Sequence, residues 1–277
     1  MSAPAAPDSA AVERPPPPAR GWPRQRIAGY ALMALWIVAG LGLVAYLVSA
    51  YDAAMFARYA PSYLSGLKVT LQLVGLSVLL GALLSAPVAW ARTSRNPWLA
   101  WPAYAYVYFF RGTPLLAQAF LIYYGMGSFR PQLEALGLWG FFREAWYCAL
   151  LAFTLNTAAY QAEILRGAVQ SVPRGQWEGA ASLGIPRWLM LRKIILPQAL
   201  IVALRPYGNE IILMIKGSAI VAIITVLDLM GETRRAYSRT FDFQTYLWAA
   251  VIYLAIVETL RNIINHIEGR ITAHLRR

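Results

Sequence analysis

EGAASLGIPRWLMLRKIILP, residues 178–197, is a polar-edged stretch set between long apolar runs, and the fold follows from that contrast. Gly179, Ala180 and Ala181 keep its beginning small, while Gly184 and Pro186 end it. Glycine admits the left-handed turn that closes a helix, and proline cannot continue one. The spacing predicts a short helix that stops abruptly and presents a flat face to another protein's backbone. Outward from it, residues 27–50, 69–91, 98–110, 145–162 and 243–257 carry no charge. A bilayer-crossing helix needs about 20 mainly apolar residues. These runs and their flanks predict six spans, near 28–50, 63–91, 98–125, 145–170, 198–226 and 244–267. The expected fold class is all-α integral membrane.

Composition agrees, since 58% of the 277 residues are hydrophobic and only 14% are charged, where soluble domains have roughly 25% charged. Residues 1–27, rich in Pro, Ala and Arg, cannot bury a core and are expected to form a disordered cytoplasmic tail. The first apolar run is too long for a signal peptide and lacks a small-residue cleavage site, so it reads as a retained anchor. Residues 268–277 read as a basic tail.

The formal charge of +12 would suggest nucleic acid in a soluble protein. Here the basic residues cluster before span one, after span two, between spans four and five, and at the C-terminus, as Arg24, Arg92, Arg174, Lys193 and Arg277 illustrate. With six spans all four regions lie on one side, and the other side's basic residues are partly balanced by Asp52, Glu134, Asp228 and Glu232. The positive-inside rule then places both termini and the 171–197 loop in the cytoplasm, leaving no role for a nucleic-acid partner.

One cysteine, Cys148, allows no intrachain disulfide, and His266 and His274 make no metal cluster. Neither GxxxxGK[ST] nor GxSxG occurs. No cofactor, metal or catalytic residue is therefore expected in this chain, and any ATP must be hydrolysed by a partner.

Ionisable groups inside spans are costly and mark functional or paired positions. Asn156, Tyr160, Glu163 and Gly167 recur at i, i+4, i+7 and i+11, which puts them on one helix face. That face can line a path for a zwitterion, with Asn156 and Tyr160 giving hydrogen bonds and Glu163 attracting an ammonium or guanidinium. Equally, Glu163 can pair with Arg166 or Arg111 and only hold helices together. Arg111 stands in RGTP, where Gly112 and Pro114 loosen the helix and free backbone groups. Its guanidinium can grip a substrate carboxylate through two parallel bonds, or pair with Glu163 or Glu210. Asn209 reads as a path-lining donor and Glu210 as a path residue or a structural partner of Arg205. Gly125 and Gly127 are expected to end span three, and the many Trp and Tyr residues to form interfacial belts.

Glu178, Ala180, Gly184, Ile194, Leu196 and Pro197 stand at the spacing of the EAA loop of ABC importer membrane subunits, with Gly179 where that family usually has Ala. GLKVTLQL at 66–73, FFRGTPLLAQAFLIYYG at 109–125, LNTAAYQAEILRGAVQSVPRGQWEGA at 155–180 and YGNEIILMIK at 207–216 resemble the polar amino-acid subfamily of these permeases, most of all those for histidine, lysine and arginine or opines. The resemblance implies a five-helix importer core at 63–267, a cytoplasmic coupling helix within 174–197, and one extra N-terminal helix at 28–50. It also implies partners: two ATPase subunits holding ATP and Mg, a second identical or similar permease chain, an external substrate-binding protein, and membrane lipid. In this reading Glu178, Gly179, Ala180 and Gly184 contact the ATPase. Closure of the ATPase pair then switches access across the bilayer, moving a polar, cationic-leaning amino acid or an opine. KGSAI at 216–220 departs from the subfamily pattern. A membrane-embedded enzyme finds no nucleophile-base pair here, and a passive channel gives no reason for the docking loop.

Overall fold

The computed structural model describes residues 24–49 and 51–273. Of the expected N-terminal tail, residues 1–23 lie outside the described part, whereas 24–27 already form the first turn of α1, Arg24–Ser49. Residues up to 51 make one unit and residues 52–277 another. Within its own unit, α1 is a single uninterrupted apolar helix, long enough to cross a membrane.

The second unit begins with α2, Ala53–Thr93, capped by Asp52, whose carboxylate accepts from Ala54 N at 2.8 Å and Met55 N at 3.2 Å. At 41 residues it is longer than the expected 63–91, and it runs through Pro61 and Pro87. α3, Pro97–Gly112, starts on the cap of Asn96 and a proline at its first position. α4, Leu115–Phe120, continues into a π turn at Leu121–Gly125, and the short helices α5, Arg130–Ala135, and α6, Trp139–Phe142, follow. α7, Ala145–Ser171, is the buried centre of the bundle, with Cys148, Ala149, Ala152, Phe153, Ala158 and Ala159 wholly out of contact with solvent. α8, Arg174–Ser182, precedes a continuous helical stretch made of α9, Arg187–Met190, a π turn at Leu191–Ile195, α10, Leu196–Ser218, and a 3₁₀ extension at Ala219–Ile224. α11, Leu229–Thr240, and α12, Gln244–Ile271, complete the fold.

No strand occurs among the described residues, as the fold class requires. Four helical stretches are long and apolar enough to cross a membrane: Arg24–Ser49, Ala53–Thr93, Arg187–Ile224 and Gln244–Ile271. The other two expected spans differ in kind. The third is not one helix over 98–125 but two pieces parted at Thr113 and Pro114, because Pro114 has no N–H to carry the ladder forward. The fourth, α7, has 27 residues, but its buried Asn156, Thr157 and Gln161 make it less apolar than a lipid-facing helix.

Small residues set the packing, as expected where lipid removes the hydrophobic drive between helices. Gly81 lets α2 approach α7 so closely that a Cβ would stand 2.6 Å from Thr157 Cγ2. Gly66 likewise lies under the backbone of Asp228, with only 2.7 Å between a built Cβ and the Asp228 carbonyl oxygen. The expected loop between spans five and six is thereby folded: α11 is capped by Asp228, which accepts from Gly231 N at 2.8 Å, and Leu229 N donates to Thr70 Oγ1 at 3.1 Å. Asp228 and Glu232, expected as loop charges, are buried.

Candidate functional site

At the predicted cytoplasmic end, α8 closes on Gly184, whose φ of +69° is the left-handed conformation glycine tolerates. Its N–H donates to Ala181 O at 3.0 Å, and Ile185 N donates to Ala180 O at 3.1 Å, so the last carbonyls of the helix are satisfied. Glu178 and Gly179 are exposed, and a side chain at 179 would meet nothing within 4 Å. Ala180 points the other way. It is 4% exposed and packs with Ala168, Met190, Ile195, Ala199 and Ala203. The expected face of three small residues is therefore split, because one helical turn carries consecutive residues to different sides. Leu183, 80% exposed, and Trp188 extend the outward face in a way the small-residue pattern did not suggest.

The second site surrounds the parted third span. Gln118 donates to Phe110 O at 2.9 Å, Thr113 O at 3.1 Å and Thr113 Oγ1 at 2.8 Å, satisfying carbonyls freed by Pro114. Asn156 donates to Phe110 O at 3.0 Å and to Gln118 Oε1 at 2.9 Å. Asn156 is thus a buried brace, with its amide hydrogens engaged on the break. Gln118 escaped the sequence reading; its signal was its place one turn after a proline, where carbonyls lack donors.

Tyr160 lies under the Arg111 guanidinium, 5.2 Å from ring centroid to Arg111 Cζ. Glu163 sits between two arginines, Arg166, which donates from Nε at 2.9 Å, and Arg92 of α2, whose Nη2 is 3.5 Å away. Arg166 was foreseen as its partner, but Arg92 takes the place proposed for Arg111. Arg92 also stacks on Tyr104 at 4.9 Å. Residues of α2, α3 and α7 enclose a groove of about 490 Å³ lined by Arg92, Tyr104, Tyr108, Arg111, Thr113 and Tyr160. A second hollow of about 320 Å³ shares Arg111 and Tyr160 with it and reaches Glu163, Gly167 and Pro206.

Glu210 is 6% exposed, and its Oε1 accepts from Thr157 Oγ1 at 3.0 Å. The expected Arg205–Glu210 pair does not form. Arg205 reaches outward to Glu268 of α12, Nε to Oε1 2.7 Å and Oε2 2.9 Å, because five residues on a helix separate the two side chains by well over a turn. Asn209 is exposed and lines neither hollow. Among the described residues no group of His, Cys, Asp and Glu can hold a metal.

Residues 77–272 match the family described as binding-protein-dependent transport system inner membrane component. The chain is 42% identical over 217 residues to the nopaline transport system permease protein NocM of Agrobacterium fabrum, covering 78% of this chain and 90% of that protein. It is 38% identical over 220 residues to the arginine ABC transporter permease protein ArtM of Haemophilus influenzae, covering 79% and 96%. A solved amino acid ABC transporter with histidines superposes with a TM-score of 0.71 at 35% identity, over 79% of this chain and 99% of the other.

Proposed function

The chain belongs to the binding-protein-dependent transport system inner membrane components, and from that membership we propose a particular division of labour between its parts. It is a multi-pass inner-membrane transport subunit of an ABC importer, with no enzymatic activity of its own. In our reading it works beside a second identical or similar permease chain, above two ATPase subunits that hold ATP and Mg and below an external binding protein. Both termini and α8 face the cytoplasm, which the basic residues around residues 24–26, 92–95 and 187–193 support. The cargo is a polar amino acid or an opine, as the names of the nopaline and arginine relatives suggest.

One observation carries the coupling part of this proposal. α8 has an open edge at Glu178 and Gly179 and an opposite edge, Ala180, packed onto Ala168 of α7 and onto Ile195 and Ala199 at the base of the fifth span. A push on the open edge is delivered to two spans at once, since close-packed interiors transmit displacement. Glu178 supplies the polar contact to the ATPase and Gly184 the turn that fixes the helix's angle. Arg111 and Tyr160 line the substrate path, Glu163 and Asn156 shape it, and Glu210 stands behind its wall. Asn209, outside both hollows, contributes at the surface of α10.

The experiment is ATP-driven uptake by the whole complex in liposomes, comparing the parent with Glu178→Ala and Gly184→Val. Both variants should assemble and hydrolyse ATP while uptake per ATP falls. Uptake equal to the parent in both would remove the coupling role. Competition by sugars or peptides alone would remove the amino-acid cargo.

A further inference from the structure

We propose that the groove lined by α2, α3 and α7 selects cargo bearing at least two carboxylates over simple cationic amino acids; this rests on the reading that Arg111 and Tyr160 line the substrate path. The groove holds two guanidiniums and no acid among its lining residues. Among the described residues, no carboxylate comes within ion-pair distance of Arg111; the tyrosine ring beneath it is its neighbour. A ring holds a guanidinium by its face and leaves the in-plane N–H groups free, the edge that takes a carboxylate through two parallel bonds. Arg92 is held over Tyr104 in the same manner, and its Nε is a buried donor without a partner. Two arginines positioned by rings, one of them with a spare buried N–H, ask for two acceptors of negative charge.

The acids nearby do not reverse that demand. Glu163 already has Arg92 on one side and Arg166 on the other, so it has little field left for an incoming ammonium or guanidinium. Glu210 is within electrostatic reach of Arg111 but buried against Thr157. Counting Arg92, Arg111 and Arg166 against Glu163 and Glu210, the site keeps a net positive charge. Arginine brings one carboxylate and two cations to it; octopine adds a carboxylate to the arginine framework and nopaline adds two. A volume of about 490 Å³ lies within the roughly 300–1,000 Å³ of small-molecule sites, so the larger derivatives are not excluded by size.

The test uses the membrane complex of permease and ATPase in nanodiscs without the external binding protein, so that the ligand meets the membrane subunit alone. Binding of arginine, octopine and nopaline is followed by titration calorimetry at low salt, beside ATP-driven uptake by the full system. Each added carboxylate should tighten binding about tenfold, the effect of one charge-assisted contact. Arg111→Gln should abolish the ranking, and Arg111→Lys, which keeps the charge but loses the planar fork, should retain only part of it. Arginine binding as tightly as nopaline, or a ranking unchanged in Arg111→Gln, overturns the inference, as does the absence of binding by all three when uptake proceeds. Failure of ATP-driven uptake for every amino acid and opine would instead strike at the transport reading itself.

Discussion

Gly208 of α10 faces Ile264 of α12 so closely that a Cβ built on the glycine would lie 2.6 Å from Ile264 Cγ2. The fifth and sixth spans meet there backbone to side chain. Ile264 is branched at Cβ and has few ways to yield, so Gly208→Ala should cost about 1–3 kcal/mol. The readout is a lower melting temperature in detergent, with Ile264→Ala in the same chain restoring most of it. A parental melting temperature in the single variant would show that the contact is slack.

Gln118 bridges the parted third span with three donated bonds. Gln118→Leu leaves the Phe110 and Thr113 carbonyls short of donors in a buried place and removes the acceptor for Asn156. Stability should fall by about 1–3 kcal/mol, and uptake should fall with it, because Arg111 stands at the end of the helix that the network braces. Retained stability and uptake would show that other groups satisfy the break.

Asp228 lies between spans five and six, and burial pushes its carboxyl up from 3.8 to about 6 despite backbone hydrogen bonds that oppose the shift. The folded state therefore binds the proton more tightly than the unfolded one. This contribution to stability is greatest below about pH 4 and is lost as pH rises to about 6, a change of roughly 3 kcal/mol for a shift of this size. Asp228→Asn keeps an oxygen for the Gly231 N–H and has no charge to desolvate. Melting temperatures measured from pH 4 to 7 should decline less in the variant than in the parent; an equal decline would assign the pH dependence to other groups.

At Gly184 the left-handed backbone orders the substitutions. Asn tolerates that region better than Ala, and Ala better than a β-branched residue. Uptake per ATP should follow Gly184→Asn, then Ala, then Val in descending order. Equal coupling in all three would mean that the turn's angle does not matter.

The helical membrane fold and the break near Pro114 were legible from composition, from charge-free runs and from the chemistry of one proline. The helix-ending turn at Gly184 was legible for the same kind of reason, since only local backbone geometry is involved. Partners across helices were not. The face shared by Asn156, Tyr160 and Glu163 followed from helical period, but which of them is engaged depends on what other helices bring. Asn156 meets the Phe110 carbonyl and Glu163 meets Arg92, 71 residues away in sequence. Ala180 shows the same limit from the other side, because a small residue suits an open docking face and a tight internal contact equally. α11 was missed because polar residues at a helix's surface look like loop when its buried side is short.

The π turn at Leu191–Ile195 has a consequence for how such a subunit can be retuned. A π turn accommodates one more residue than the α-helical path it replaces, and each residue of an α-helix carries the chain through about 100°. Deleting a single residue there would let the turn relax to α-helix and rotate the whole fifth span against α8, changing the gearing between them with neither end redesigned. The interval from Gly184 to Pro197 therefore acts as a phase setting, and its length is as much a part of the coupling as any side chain in it.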